Sequence, residues 1–246
     1  MSLLRLIAKL EIKGTSVVKP VQFEGLRVVG KPENLAQKYA EMGADEILYV
    51  DVVSSLYGRN QLADLLERTA EQVFIPITVA GGVRSLGDVK RLLGSGADKV
   101  AINTAALASP ALISECAASV GSQGIVVSIE AKRHASGWEA YTDNGRERTG
   151  KDAVAWAREA VARGAGEIII TSVDRDGTRK GFDTALVEAL RDLPVPVTAC
   201  GGMGSVADLR SALDAGADAV AMASVLHYGK VTFGEMRDAC RRRCAA

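Results

Sequence analysis

A duplicated segment constrains what this chain can fold into. Residues 76–104 and 196–224 share about twelve identities in thirty aligned positions when the comparison starts at Ile75 and Val195. Agreement of this kind within one chain indicates an internal repeat. Each copy contains an apolar strand, a Gly-Gly turn, an amphipathic helix, an Ala-Asp step and a second apolar strand. The same pair of βα units is therefore expected twice.

Short apolar strands alternate with helices along the whole chain. The predicted strands cover residues 4–12, 46–50, 76–80, 99–102, 125–129, 167–171, 196–199 and 219–223. Eight strand–helix units in a chain of this length are typical of a (β/α)8 barrel, and continuous apolar strands are expected where both faces are buried. A doubly wound open sheet is the competing fold, but a duplicated half closes naturally into a ring. The sequence predicts an α/β fold: one domain over residues 1–246, a (β/α)8 TIM barrel built from two similar half-barrels.

Two segments depart from simple alternation. Residues 14–29 are predicted to form a long irregular loop, and loops of that length are often functional. Residues 138–150 (WEAYTDNGRERTG) carry an Asn-Gly turn signal and are predicted to form a hairpin. Among the helices, the second is predicted over residues 60–72 and the last over residues 233–243.

Composition excludes several classes of function. The chain has 30 Lys plus Arg and 30 Asp plus Glu, so no net charge attracts nucleic acid or a membrane surface. No run of eighteen apolar residues is present, so no membrane-spanning helix is expected. Four cysteines and two histidines show no zinc-type pairing. The sequence predicts a cytoplasmic protein without metal or cofactor.

The ends of the predicted strands carry the candidate catalytic groups, because active sites of such barrels lie at the carboxyl ends of strands. Glu11 and Glu130 end strands one and five, which are equivalent positions in the two halves. We expect them to face each other across the barrel mouth as a general acid and base. A carboxylate at a strand end can also be a solvated loop residue or a helix cap, although a symmetric pair makes this less favourable.

The duplicated turns suggest two phosphate sites. Glycine allows close backbone approach, and a hydroxyl or amide supplies a further donor. One set comprises Gly82, Asn103 and Thr104, and the other comprises Gly202, Ala223 and Ser224. A Gly-Gly turn can equally be a matter of strand geometry, but its duplication favours phosphate. A substrate with a phosphate at each end would place its middle between the two glutamates.

These motifs resemble the cyclase subunits of imidazole glycerol phosphate synthase, the HisF family, over essentially the whole chain. The resemblance is carried by VVK (17–19), ADKVAINTAA (97–106), GSQ (121–123), GAGEI (164–168), TSVDRDGT (171–178) and GADAVAMAS (216–224). It implies a lyase-type cyclisation in histidine biosynthesis. Ammonia released by a partner glutaminase, forming a heterodimer of the HisF–HisH kind, would pass through the barrel. It would then react with a bis-phosphorylated ribulosyl aminoimidazole intermediate to give imidazole glycerol phosphate and an aminoimidazole carboxamide ribotide.

The resemblance also assigns roles to residues. Glu11 and Glu130 stand where the family has two catalytic aspartates. The implied substrate- and phosphate-binding residues are Lys19, Gly82, Asn103, Thr104, Asp176, Gly177, Gly202, Ala223 and Ser224. Asp51 and Thr171 are further candidates because they stand at the ends of the second and sixth predicted strands. The implied ammonia gate at the amino-terminal end of the barrel comprises Arg5, Glu46, Lys99 and Glu167; a structural salt-bridge plug is the alternative interpretation. Asp98 is expected on the face that meets the glutaminase.

Several positions depart from the family pattern. Glutamate at both catalytic positions moves each carboxylate outward by about 1.5 Å, one carbon–carbon bond. Where the reaction needs precise geometry, a shift of this size can lower the rate on the order of 100-fold. These changes resemble divergent HisF-like proteins that deliver ammonia for sugar amidation in surface-polysaccharide pathways. That function is the alternative to the cyclase, and a sister barrel that isomerises the same precursor fits the motifs less well.

Overall fold

A computed structural model describes residues 4–21, 24–52 and 62–244, without the side chains of residues 20–26 and 241–244. The strands are β1 (Arg5–Lys13), β2 (Ser16–Val21), β3 (Glu24–Gly30), β4 (Glu46–Asp51), β5 (Ile77–Ala80), β6 (Lys99–Ile102), β7 (Ile125–His134), β8 (Gly137–Thr142), β9 (Glu147–Asp152), β10 (Glu167–Ser172), β11 (Val197–Cys200) and β12 (Ala219–Met222). The helices are α1 (Pro32–Glu41), α2 (Leu62–Ala70), α3 (Leu86–Gly94), α4 (Thr104–Ala108), α5 (Ala111–Val120), α6 (Ala153–Ala162), α7 (Thr184–Glu188), α8 (Val206–Asp214), α9 (Ser224–His227) and α10 (Phe233–Cys244).

Eight of these strands form a closed parallel barrel. Going round the ring, β1 pairs with β4, β4 with β5, β5 with β6, β6 with β7, and β7 with β10. β10 then pairs with β11, β11 with β12, and β12 with β1. The predicted (β/α)8 barrel is confirmed, and its strands are those that the apolar runs predicted. In both copies of the repeat, a serine and an aspartate form a capping box at the start of the helix, Ser85 with Asp88 and Ser205 with Asp208.

Each barrel strand buries both faces, in two separate cores. On β1, Leu6, Ala8, Leu10 and Ile12 belong to the core between the strands and the helices. Ile7 belongs instead to a smaller core inside the barrel, with Leu48, Ala80, Ala101, Val126, Ile169, Cys200, Ala219 and Ala221. Because side chains alternate along a strand, the inward row of β1 also includes Arg5, Lys9 and Glu11. This row runs from one end of the barrel lumen to the other.

A repeated Gly-Ala-Asp turn fastens successive strands at the amino-terminal end of the barrel. The carboxylates of Asp45, Asp98 and Asp218 accept hydrogen bonds at 2.8–2.9 Å from the backbone N–H groups of Leu6, Ile77 and Val197, respectively. The glycine two residues before each aspartate has a φ between +101° and +107°. The corresponding turn of the third quarter has Gly166 instead of aspartate, because a Cβ there would lie 2.1 Å from the carbonyl oxygen of Ser122. The aspartate hydrogen bond is thus present at three of the four equivalent turns, which repeat with a finer period than the half-barrel.

The prediction of an irregular loop at residues 14–29 is wrong. β2 and β3 form an antiparallel pair, and β2 also pairs with the carboxyl end of β1, with Glu11 opposite Val18 and Lys13 opposite Ser16. Two adjacent valines in each strand, Val17–Val18 and Val28–Val29, favour extended structure, and a tight turn at Gly14, with φ +60°, joins β1 to β2. The register of β2 against β1 carries Lys19 over the barrel mouth. The predicted start of the second helix at residue 60 lies outside the described residues.

The second hairpin is present as predicted, and its tip reaches the barrel mouth. β8 pairs antiparallel with the extension of β7 and with β9. Asp143 and Asn144 at the tip have φ values of +51° and +58°. The side chain of Asn144 donates a hydrogen bond at 2.7 Å to the carbonyl oxygen of Val52, which follows β4. The hairpin is thereby tied across the mouth to a different strand.

The hydrogen bond between the backbone N–H of Val197 and the Asp218 carboxylate can be tested by mutation. Replacing Asp218 with alanine leaves the N–H of Val197 without its acceptor at the edge of a buried strand, so Asp218→Ala should lower the free energy of unfolding by about 1–3 kcal/mol. Chemical denaturation would measure the loss. Asp238→Ala removes an exposed carboxylate on α10 and serves as the control. Equal stability of the two variants would show that the Gly-Ala-Asp turn does not fasten the barrel.

Candidate active site

The two candidate catalytic glutamates lie on opposite sides of the lumen, at its carboxyl end. Glu11 is on β1 and Glu130 on β7, and these strands are four steps apart in either direction round the ring. Both side chains point inward, as the alternation of buried residues on their strands requires. The order of strands in the ring therefore places Glu11 and Glu130 across the mouth from each other, as expected. Their immediate surroundings are very different.

Glu11 lies between two lysines and is completely buried. Its Oε2 accepts a hydrogen bond at 2.7 Å from Nζ of Lys19, and its Oε1 lies 3.1 Å from Nζ of Lys9. Lys19 Nζ also lies 3.2 Å from Oδ2 of Asp176. Burial acts to raise the pKa of Glu11, but Lys9 and then Lys19 outweigh it and hold the pKa below its ordinary value. Glu11 is therefore ionised at neutral pH.

Glu130 has a much weaker set of partners. Its Oε2 accepts a hydrogen bond at 2.8 Å from the backbone N–H of Gly145, at the tip of the second hairpin. Burial raises the pKa of Glu130 to about 7, against the opposing effects of the Gly145 N–H and the more distant Lys9 ammonium. A carboxyl group with that pKa exchanges its proton readily near neutral pH. The pair that the sequence treats as equivalent therefore consists of one carboxylate that stays ionised and one carboxyl group with a pKa close to neutral pH.

A cavity of about 300 Å³ adjoins Glu130 and forms the first half-site. Four of the predicted phosphate- and substrate-binding residues line it: Asp51, Gly82, Asn103 and Thr104. It is also lined by Arg84, Ser128 and Asn144, which sequence reasoning missed. Ser128 lies two residues before Glu130 on β7, so the period of two along a strand could have identified it. The hairpin tip contacts this half-site, since the N–H of Asp143 donates to Oγ1 of Thr104 at 3.3 Å.

The second half-site is almost filled. It is lined by the predicted residues Lys19, Asp176, Gly177, Gly202, Ala223 and Ser224, and also by Lys9 and Cys200. Its cavity is about 20 Å³, room for about one water molecule. The ion pairs among Glu11, Lys19 and Asp176 occupy the remaining space. Thr171 is buried in register with Glu130 and Cys200, and the cavity linings formed by the described residues do not include it.

The Gly-Gly turns are required by the path of the chain itself. Gly81 has a φ of +103°, and a Cβ there would lie 2.5 Å from the carbonyl oxygen of Asp51. Gly202 has a φ of +110°, and its Cβ would lie 2.2 Å from the carbonyl oxygen of Gly181. Both the positive φ and the close packing exclude larger residues. The geometric interpretation of these glycines is therefore correct, whether or not a phosphate also contacts them.

The four residues predicted to form a gate come together at the opposite end of the lumen. Arg5 and Lys99 each contact both Glu46 and Glu167, and all four distances are 2.8 Å. Burial acts to raise the pKa of Glu167, but Arg5 and Lys99 outweigh it and keep the pKa below its ordinary value. The described side chains thus form a closed ring of alternating charge. Asp98 lies exposed at the same end, one residue before Lys99.

Sequence reasoning missed two threonines that complete this ring. Thr78 Oγ1 donates to Glu46 at 2.5 Å, and Thr198 Oγ1 donates to Glu167 at 2.6 Å. They occupy the same position in the two copies of the repeat, Pro-Ile-Thr and Pro-Val-Thr, and each is fully buried. The sequence could have identified these threonines, because both copies of the repeat have a polar residue at the same inward position of an apolar strand. This repetition shows that the duplicated unit builds both ends of the lumen.

Comparison with known proteins agrees with these features. A sequence model of the family described as "Histidine biosynthesis protein" matches residues 5–232. The chain belongs to this family. Three relatives carry the name "Imidazole glycerol phosphate synthase subunit HisF". The chain is 53% identical to the one from Myxococcus xanthus, over 95% of this chain and 93% of the relative. It is 57% identical to the one from Legionella pneumophila, over 84% and 98%, and 47% identical to the one from Bifidobacterium adolescentis, over 96% and 95%.

Family membership confirms the resemblance inferred from the sequence motifs. The chain is a HisF-type enzyme subunit of histidine biosynthesis, and the names of its relatives do not favour the sugar-amidation alternative. Within residues 4–21, 24–52 and 62–244, no group of three or more His, Cys, Asp or Glu is placed to hold a metal ion. In the same ranges, no helix is long and apolar enough to cross a membrane.

The unusual environment of Glu130 predicts a pH-dependent stability. Its pKa is about 7 in the folded chain against an ordinary value of 4.5, so the folded state binds more protons between these two values. Its stabilising contribution is full below the unfolded pKa and is lost as pH rises through the folded pKa, a change of roughly 3 kcal/mol. Glu130→Gln should therefore gain stability relative to the wild type between pH 5 and pH 8 in urea denaturation. A difference between the two proteins that stays constant with pH would contradict this.

Proposed function

We propose that this chain is the ammonia-dependent cyclase subunit of an imidazole glycerol phosphate synthase. It would convert a bis-phosphorylated ribulosyl aminoimidazole carboxamide intermediate to imidazole glycerol phosphate and an aminoimidazole carboxamide ribotide. The observation that carries the proposal is the arrangement at the mouth: two half-sites, one beside each glutamate, on opposite sides of one lumen. A substrate with phosphate at both ends would place its reacting carbons between the two glutamates.

The two glutamates would divide the proton transfers between them. Addition of ammonia to a carbonyl carbon and the following loss of water each require one proton to leave nitrogen and one proton to reach oxygen. Glu130, with a pKa of about 7, can both accept and return a proton in one cycle. Glu11 is held ionised by Lys9 and Lys19, and it would stabilise positive charge that develops on the substrate nitrogen.

Ammonia would enter at the amino-terminal end and travel along the lumen. The charged ring of Arg5, Glu46, Lys99 and Glu167 guards that entrance, and the inner core above it contains four alanines. Small apolar side chains suit the passage of a small neutral molecule. Movement of Lys99 away from its two carboxylates would open the ring. Asp98, beside Lys99 and exposed on this face, would contact the glutaminase subunit of the heterodimer.

The purified chain should form imidazole glycerol phosphate from the bis-phosphate substrate when ammonium salt is supplied at alkaline pH, where neutral ammonia is abundant. Addition of a HisH-type glutaminase and glutamine should replace the ammonium salt. Chromatographic detection of the two phosphorylated products would measure both reactions. If the folded protein binds the substrate but forms neither product, the cyclase proposal is wrong.

The variant Glu130→Gln tests the proton-transfer role of Glu130 in the same assay. The amide keeps the shape of the carboxyl group and can still accept from Gly145, but it cannot exchange a proton. Turnover should fall by roughly 100-fold or more, and substrate affinity should change little. Retained turnover with a large loss of affinity would assign Glu130 to binding instead of proton transfer.

A further inference from the structure

Lys9 is a buried cation in the candidate site that the sequence analysis did not identify. It follows Arg5 and Ile7 on the inward row of β1, is only 5% exposed, and lines the second half-site beside Cys200. β1 is paired on both sides, with Ala8 opposite Met222 on one neighbour and Lys9 opposite Leu48 on the other. Its backbone is therefore held firmly by the barrel. Lys19, in contrast, projects from the β2–β3 hairpin.

Lys9 both balances the charges around the second half-site and adds a hydrogen-bond donor to it. Glu11 and Asp176 contribute two negative charges, and Lys19 contacts both of them. With Lys19 alone, the cluster would carry a net charge of −1 and would repel a phosphate dianion in a poorly solvated cleft. The ammonium of Lys9, 3.1 Å from Glu11, makes the cluster neutral. It also places a second donor beside the Gly201–Gly202 turn and Ser224.

We propose that Lys9 is a substrate-binding residue that fixes one phosphate of the substrate in the second half-site. The proposal deepens the proposed function and rests on its assignment of a doubly phosphorylated substrate. In the ligand-free chain, Glu11 and Asp176 take the place of the phosphate oxygens as partners of the two lysines. Phosphate then enters as Lys19 exchanges Asp176 for a phosphate oxygen, while Lys9 stays in position on its strand. The small cavity of about 20 Å³ is the consequence of this internal pairing.

The two products of the proposed reaction carry one phosphate each, which allows the half-sites to be tested separately. Isothermal titration calorimetry would measure the affinity for each product and for inorganic phosphate. Lys9→Met should weaken the binding of one product by about 10- to 100-fold, the loss expected for a charge-assisted hydrogen bond. It should leave the other product within about twofold. Asn103→Ala, in the first half-site, should show the opposite selectivity.

Two further variants separate a ligand-binding role from a purely structural one. Lys13→Met removes the same charge from an exposed position on the same strand and should change neither affinity. The double variant Lys9→Met with Glu11→Gln removes one cation and one anion together, so the cluster stays neutral. If Lys9 binds phosphate, the double variant remains as weak as Lys9→Met. Recovery of wild-type affinity in the double variant would show that Lys9 is only a counter-ion for Glu11 and would overturn the proposal.

The remaining outcomes are also decisive. Unchanged affinity for both products in Lys9→Met, or an equal loss for both, would overturn the assignment of Lys9 to one half-site. If the wild type binds neither product, the proposed function fails. The calorimetric titration with inorganic phosphate then tests the role of Lys9. Phosphate binding that Lys9→Met weakens would support an anion site at Lys9, and an absence of phosphate binding would refute it.

Discussion

The inward row of β1 is the constraint on which the rest of this structure depends. A closed barrel shields most of its lumen from solvent, so a charged side chain that points into the lumen is stabilised by a partner inside. Arg5, Lys9 and Glu11 occupy that row, and each has an ion pair there. At the amino-terminal end the pairing produces a charged ring, and at the mouth it produces a cluster of two lysines and two carboxylates. The apolar layer of the inner core separates the two.

Such buried ion pairs are not expected to add much stability, because removing two charges from water costs about as much as their attraction returns. Their value here is positional. The ring is satisfied on every carboxylate by two cations and a threonine hydroxyl, so it is well ordered and costly to disturb in part. At the mouth, the same physics makes two identical residues unlike each other. Glu11 lies between two lysines, whereas Glu130 has a backbone N–H and the Asn103 amide as hydrogen-bond partners and only a more distant lysine.

Much of this could be predicted from the sequence. The apolar runs located every barrel strand, the repeat located residues that line both cavities, and the ends of the predicted strands located the paired glutamates. The β2–β3 hairpin was missed because its valines are separated by polar residues and a proline, and this local pattern predicted a loop. The segment is extended because β2 pairs with β1, a contact that the local pattern does not show. The difference between Glu11 and Glu130 was also out of reach, because Lys19 reaches Glu11, and Gly145 reaches Glu130, only after the chain folds. Lys9 could have been found, since Arg5, Lys9 and Glu11 share one strand face.

The central claim is that the two glutamates at the mouth differ in protonation because of their neighbours. Carbon-13 NMR of the side-chain carboxyl groups, followed from pH 5 to pH 9 in the ligand-free protein, tests it directly. Assignment would come from Glu11→Gln and Glu130→Gln. We expect one resonance, that of Glu130, to titrate with a midpoint near pH 7 and that of Glu11 to stay at the ionised position throughout. Titration of both resonances together, or of neither, would contradict the account.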